Sequence, residues 1–353
     1  MLSVGIVGLP NVGKSTLFQA LTKKQVNIAN FPFCTIDPNV GVVEVPDQRL
    51  EQLAAVSRSA QIIPTAIEFY DIAGLVAGAS QGEGLGNQFL ASIREVDAIL
   101  QVVRAFTDQK ITHVSGQPDP AKDTEIINLE LVLKDLETVL QHLPKIQKNA
   151  QRGDRDAQAQ LPLLEKLNRH LQQGQPARTL MFADKEKQYL KTLNLLSAKP
   201  VIYLVNRAAN KPALNYPQNL TPVLEIDIGL ENELGELPPA EAQTMRQALP
   251  CAKNGLDEVI SLCYIILELE TFFTTGEKET RAWTVKKGAR APQAAGKIHT
   301  DFERGFIRAE VVAWDQLVKA QGWNGTREKG LVRTEGKEYV VRDGDVIIFK
   351  TAT

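Results

Sequence analysis

A doubly wound α/β fold with a mostly parallel sheet is the fold class the sequence predicts, and three observations predict it. Residues 2–7 (LSVGIV) form a short apolar run rich in Val and Ile, the composition of a strand buried on both faces. A glycine-rich turn follows at once, and STLFQALTKK from Ser15 onward opens a helix. Apolar runs recur at 66–72 (AIEFYDI), 97–103 (DAILQVV) and 200–206 (PVIYLVN), separated by helical stretches, and strands alternating with helices build such a sheet.

The rhythm breaks after residue 103. From Ile126, apolar residues recur as Ile126, Leu129, Leu133, Leu136, Leu140 and Leu143, in steps of three and four that match the a/d seam of a coiled coil. A second run, Leu161, Leu164, Leu167 and Leu171, lies beyond the polar stretch QKNAQRGDRDAQAQ. Two amphipathic helices lying on the core would also fit. Three heptads with a polar tip favour an antiparallel helical hairpin inserted between two strands. The last third changes again, with short strand-like runs at 282–285, 306–312, 338–341 and 345–349 punctuated by Gly288, Gly330, Gly336 and Gly344. The expected division is an α/β domain over 1–122 and 198–274, inserted helices over 123–197, and a small mixed β domain over 275–353.

The 353 residues are 43% hydrophobic, which excludes a wholly disordered chain. Cys34, Cys251 and Cys263 are too few for a disulfide framework and lack metal-ligand spacing. MLSVGIVGLP has no basic leader region and no long apolar run, so a soluble, cytoplasmic protein without a membrane span is expected, and a monomer. Forty Lys and Arg against 42 Asp and Glu give a net charge of −2. From Gly276 to Thr353 the balance is 15 against 11, a net of +4 on an otherwise acidic chain. Such asymmetry fits a nucleic-acid contact and equally an ordinary solvated surface.

The chemistry sits in the first turn. Gly8-Leu-Pro-Asn-Val-Gly13-Lys14-Ser15 matches G-x-x-x-x-G-K-[ST] between a predicted strand and a predicted helix. In such a loop, backbone N–H groups of Asn11, Val12, Gly13, Lys14, Ser15 and Thr16 cradle phosphates. The Lys14 ammonium meets the outer phosphates, and the Ser15 hydroxyl ligates Mg²⁺. Asp71-Ile-Ala-Gly74 ends a strand run and matches D-x-x-G, whose Asp holds Mg²⁺ through water and whose Gly senses the γ-phosphate. Thr35, in the loop-like stretch between the two motifs, is the natural second hydroxyl for Mg²⁺. Leu75 occupies the position of the water-orienting Gln and forms no hydrogen bond, so hydrolysis is slow or another group is recruited. After the 200–206 run, Asn206-Arg207-Ala208-Ala209 keeps the Asn of N-K-x-D but lacks its guanine-reading carboxylate, which opens the site to adenine. A metabolic kinase, with an acceptor pocket and lid, is a poor fit to D-x-x-G after a switch-like loop.

The chain resembles the Obg-like ATPases of the YchF family. The identifying strings are GLPNVGKST at 8–16, NFPFCTIDPN at 30–39, DIAGLVAGAS at 71–80, GEGLGNQFL at 82–90, ITHVSG at 111–116, TFFTTGEKETRAW at 271–283, IHTDFERGFIRAEV at 298–311 and EGKEYVVRDGDVI at 335–347. The resemblance implies a P-loop G domain, an inserted α-helical coiled coil and a C-terminal TGS domain of β-grasp fold. It implies ATP hydrolysis with Mg²⁺, GTP as a possible substrate, and ribosomal RNA or proteins as partners. It makes His113 the candidate catalytic group in place of the switch Gln, and Asn11 the candidate to hold K⁺ near the phosphates. Arg207 and Ile228 would then read the base through backbone groups beside Asn206. The departures are Ala209, where the family carries Glu, and Asp227-Ile228-Gly229, where it carries S-A-K/E. A second function class remains open: a slowly hydrolysing regulatory protein acting through protein partners in a stress response.

Overall fold

A computed structural model describes residues 2–23, 37–72, 85–113, 116–248 and 255–352. Strands β1 (Ser3–Val7), β2 (Val40–Glu44), β4 (Ala66–Asp71), β5 (Ala98–Arg104), β6 (Val201–Asn206) and β7 (Val223–Ile226) form one sheet in the order β2-β4-β1-β5-β6-β7. All neighbours are parallel except the β2–β4 pair. Every residue of β1 and β5 is buried, as expected of central strands covered on both faces. Leu17 and Leu21 of α1 (Lys14–Thr22), Phe89 and Ile93 of α3 (Leu85–Glu95), and Val259 and Cys263 of α9 (Gly255–Ile266) join Val4, Ile6 and Leu204 in one core. The chain turns to opposite sides of β1 when it enters β4 and β5. Such a sheet opens its ligand crevice at that point, beyond the carboxyl ends of the strands.

Between β5 and β6 the chain leaves the sheet as α4 (Pro120–Gln151) and α5 (Arg155–Gln172), joined by a tight turn at Gly153 and followed by α6 (Asp184–Leu193). This is the expected helical hairpin, but only part of the expected α4 seam holds: Leu136 and Leu143 pack on the hairpin core and Ile126 on the sheet core. Leu129, Leu133 and Leu140 are exposed, while Val132, Asp135 and Val139 are buried against α5 and the returning chain. The α5 run holds, with Leu164, Leu167 and Leu171 in the seam. The displacement has a physical cause. Asp135 occupies a core position because its carboxylate accepts from Leu196 N (2.8 Å), Ser197 N (2.7 Å) and Ser197 Oγ (2.6 Å). Hydrogen-bonded carboxylates can be buried where a hydrophobicity pattern expects leucine.

After α7 (Ile228–Leu234), α8 (Pro239–Gln247) and α9, the second sheet begins. It contains β8 (Leu269–Thr275), β9 (Glu279–Lys286), β10 (Phe306–Ala313), β11 (Arg333–Glu335) and β12 (Asp345–Thr351), in the order β11-β10-β12-β8-β9. The β8–β9 hairpin, α10 (Ala291–Ile298) packed on it, and β12 returning parallel to β8 make a β-grasp. Helices α11 (Thr300–Arg304), α12 (Trp314–Lys319) and α13 (Trp323–Glu328) complete it. The expected strand at 338–341 is a single bridge, Val340 to Arg290.

The expected boundary at 275 falls too late, because β8 belongs wholly to the second sheet. The second sheet also takes a piece of the first domain. β3 (Gln61–Ile63) pairs in parallel with β9, and α2 (Gln48–Ser57) buries Leu50 and Leu53 against Phe273, Val312, Leu317 and Val346.

Candidate functional site

β1 ends at Val7, and α1 starts at Lys14. The loop between them turns through Asn11 (φ 62°) and Gly13 (φ 109°). A Cβ at Gly13 would stand 2.7 Å from Asn206 Nδ2, so glycine is required there for backbone conformation and for space. Lys14 is only 8% exposed, and its Nζ donates to the Leu9 carbonyl at 2.9 Å. Burial lowers the Lys14 pKa, and the Asp71 charge opposes that shift. Ser15 is exposed and Thr16 half-buried at the start of α1. Asp71 ends β4, in register with Ile6 on the adjacent β1, and its N–H is held by the Asn39 carbonyl at 2.9 Å. The structure thus brings Lys14, Ser15 and Asp71 to the carboxyl ends of neighbouring strands. Thr35, Gly74, Leu75 and Cys34 lie outside the described residues.

Asn206 fastens the other side of the loop. Its Nδ2 donates to the Val12 carbonyl (2.9 Å) and its Oδ1 accepts from Ile228 N (3.3 Å). Beside it opens a cavity of about 640 Å³ lined by Asn11, Gly13, Asn206, Ala209, Asp227 and Ile228, among others. Arg207 N donates to the Ile226 carbonyl, and its guanidinium is engaged by Glu225 (2.9 Å), the Leu214 carbonyl (3.0 Å) and the Tyr216 ring. Its charge is therefore neutralised locally.

His113 is 4% exposed, and its Nε2 lies 2.9 Å from Asp123 Oδ2 at the start of α4. In this conformation the ring is covered, not presented to the cavity. Asp123 is itself buried, its pKa raised by desolvation against the influence of His113, and its Oδ1 has no partner among the described residues. The loop between β5 and α4 is tied to the phosphate loop by Asn11 Nδ2, which donates to the Thr112 carbonyl at 3.1 Å. Arg104, 1% exposed, braces that loop from below through the carbonyls of Phe106 (3.1 Å), Asp108 (3.3 Å) and Ile111 (3.2 Å).

Asp123, Arg104 and the bonds made by Asp227 were not foreseen. Asp123 and Asp227 act on His113 and Ala209, ten and 18 residues away, whereas the Arg104 contacts are local but carry no sequence pattern, and Asp227 ahead of IGLENEL does carry the signal of a helix cap.

Among the described residues no group of three or more His, Cys, Asp or Glu could hold a metal on its own. Mg²⁺ takes one or two protein ligands and completes its shell with phosphate and water. Ser15 and Asp71 supply oxygen donors of that type. No helix among the described residues is long and apolar enough to cross a membrane.

A phosphate cradle, a buried lysine and a strand-end aspartate on this sheet define a P-loop nucleotide-binding protein of the G-domain class, carrying a helical hairpin and a β-grasp domain. Comparison with known proteins narrows the class. A family model described as a 50S ribosome-binding GTPase matches residues 3–143, and a YchF-type C-terminal model, described as a protein of unknown function, matches 269–352. The chain is 50% identical to the Ribosome-binding ATPase YchF of Bacillus subtilis, over 99% of each chain. It is 48% identical to that of Escherichia coli O157:H7, over 98% of each. The structure of the Schizosaccharomyces pombe YchF GTPase superposes with a TM-score of 0.88 at 40% identity, covering 99% of this chain and 97% of that one. The chain belongs to the YchF family.

Proposed function

We propose that this chain is a ribosome-binding ATPase that hydrolyses ATP to ADP and phosphate in the cleft at the end of β1. The observation that carries the reading is the convergence of Lys14, Ser15 and Asp71 beside a 640 Å³ cavity closed by Asn206. Near full-length relatives named ribosome-binding ATPases support it. Ser15, Thr35 and Asp71 would hold Mg²⁺, which would supply positive charge beside the phosphates. Lys14 would leave the Leu9 carbonyl for the β- and γ-phosphates. Its partial burial strengthens that attraction, since charges interact more strongly away from bulk water. Asn206 holds the loop so that the backbone amides converge. The amide nitrogen of Asn11 is engaged by Thr112, so its oxygen is the atom that would meet a K⁺ ion.

His113 is the candidate to orient the attacking water. Because its ring is covered and bonded to Asp123, that role requires a shift of the 111–113 segment. Leu75 and the covered His113 together favour slow basal turnover, the property of a regulatory switch acting through partner proteins. One experiment separates the readings: affinity and turnover for ATP and GTP, each with and without ribosomes. The ATPase reading expects tighter ATP binding and turnover that rises with ribosomes. A clear GTP preference overturns the substrate, and turnover indifferent to ribosomes favours the protein-partner reading.

A further inference from the structure

The wall that would face the purine is built from 206–211 and 227–230, and several of its N–H donors are already engaged from within. Asp227 Oδ2 accepts from Ala209 N at 3.0 Å, and Asp227 Oδ1 accepts from Leu230 N at 3.0 Å. Asn206 Oδ1 accepts from Ile228 N at 3.3 Å. The cations are occupied too, Arg207 on Glu225 at 2.9 Å and Lys211 on Asp108 at 3.3 Å. Each carboxylate oxygen has a second lone pair, so Asp227, half-buried and lining the cavity, still offers acceptors to a ligand. Residue 209 is Ala and offers none through its side chain.

We propose that Asp227 is a specificity-determining residue whose carboxylate reads the 6-position of the bound purine, accepting from a 6-amino group and repelling a 6-oxo group. The inference rests on the nucleotide reading of the cavity and adds the residue that selects the base. Adenine carries an N–H donor at this position and an acceptor at N1, whereas hypoxanthine and guanine carry an acceptor here and a donor at N1, so a carboxylate set against the 6-position selects adenine and one that read N1 instead would reverse the order. Two acceptors brought together out of water lose the hydrogen bonds that each had made with solvent, and a site built for one pattern rejects the other strongly. The carboxylate is held for this task. Its bonds to Ala209 and Leu230 tether both loops of the wall to one side chain, so little conformational freedom is lost when a base arrives.

The test is direct binding of ATP, ITP and purine riboside triphosphate, which lacks any 6-substituent, to the full chain and to Asp227→Asn. The wild type should bind ATP about tenfold or more tighter than ITP, with the unsubstituted purine between them. Asp227→Asn keeps the size of the side chain and presents an amide donor, so it should bring ITP level with ATP or ahead of it. Equal affinities in the wild type, ITP binding at least as tightly as the unsubstituted purine, or a ratio unchanged in Asp227→Asn overturns the proposal. The analogue series in the wild type decides the matter even if the variant fails to fold. If the wild type binds no triphosphate at all, the nucleotide reading of the cavity falls and the proposal with it. Binding of all three in the wrong order removes Asp227 alone.

Discussion

Asp135 is a charge in the seam of a helical hairpin, and replacing it with Asn should change how stability depends on pH. The carboxylate is 1% exposed, and burial pushes its pKa up to about 6, even though Ser197 and Leu196 donate three hydrogen bonds to it. The same group in the unfolded chain titrates near about 3.9. The folded protein therefore holds a proton between about pH 4 and pH 6 that the unfolded chain has released. The favourable contribution of this group is complete below about pH 4 and is lost as pH rises through about 6. A rise of about two pH units, at about 1.4 kcal/mol per unit, is about 3 kcal/mol.

Asp135→Asn removes the titration at a pH-independent cost, because its single amide oxygen cannot accept from all three donors. Relative to wild type, the variant should thus gain about 3 kcal/mol of stability between about pH 4 and pH 7. Urea unfolding followed by far-ultraviolet circular dichroism measures this. Tryptophan fluorescence does not report on the hairpin, because Trp283, Trp314 and Trp323 all lie in the β-grasp domain. Asp135→Ala provides the contrast. It leaves the buried amides of Leu196 and Ser197 unpaired at every pH and should destabilise by about 1–3 kcal/mol for each. A stability difference between wild type and Asp135→Asn that is flat across this pH range refutes the reasoning.

Lys14→Gln should weaken ATP binding by about 2–4 kcal/mol, since it removes a charge-assisted contact to two phosphates, and should leave the circular dichroism spectrum unchanged; calorimetric titration checks both. Gly13→Ala should cost about 1–3 kcal/mol from its left-handed backbone and should also displace Asn206, so nucleotide affinity and thermal stability should fall together. Breaking the His113–Asp123 pair from one side should destabilise by about 3–5 kcal/mol, with the double variant recovering part of the loss; strict additivity in that cycle would mean that the two do not support each other. Leu133→Lys on the exposed face of α4 should change stability by less than about 0.5 kcal/mol, while Val139→Ala in the seam should cost about 2 kcal/mol, and the reverse order would restore the seam expected from the leucine pattern.

What was legible in the sequence was local. The phosphate loop is a continuous string whose residue types follow from backbone approach to phosphate, and its strand and helix stand on either side as the pattern requires. The hairpin was legible from its period and polar tip, but the period was read through Ile126 and five leucines, of which Leu129, Leu133 and Leu140 lie outside the seam. Asp135 and Val132 lie in the true seam, and a carboxylate there is intelligible only once Ser197, 62 residues away, is seen to donate to it. Shorter separations also hid the partners of His113 and Asp227, whose contacts cross ten and 18 residues. Gln61–Ile63 gave no signal at all, because a three-residue strand with two exposed positions has no alternation to read.

That short strand nevertheless constrains how the parts can move. Ile63 ends β3 in the β-grasp sheet, and only Pro64 and Thr65 separate it from Ala66, which begins β4 in the other sheet. Five residues later β4 ends at Asp71, a span of about 17 Å along an extended strand. β4 is hydrogen-bonded on both sides, to β1 and β2, and so can neither stretch nor buckle without breaking the sheet. The β3 end is equally fixed. Arg49 on α2 bonds Asp343 at 2.5 Å and lies over the Phe273 ring, Ser59 Oγ donates to the Gly276 carbonyl at 2.7 Å, and Ala60 N donates to the Glu277 carbonyl at 2.9 Å. A displacement of the β-grasp domain along the strand direction must therefore either open the β3–β9 pairing or carry the backbone toward Asp71. The domain that sequence places last in the chain is thus joined to the first sheet through 64–65, which lead into the strand that ends at the proposed metal ligand, through 45–47, which lead from β2 into α2, and through the link at 267–269.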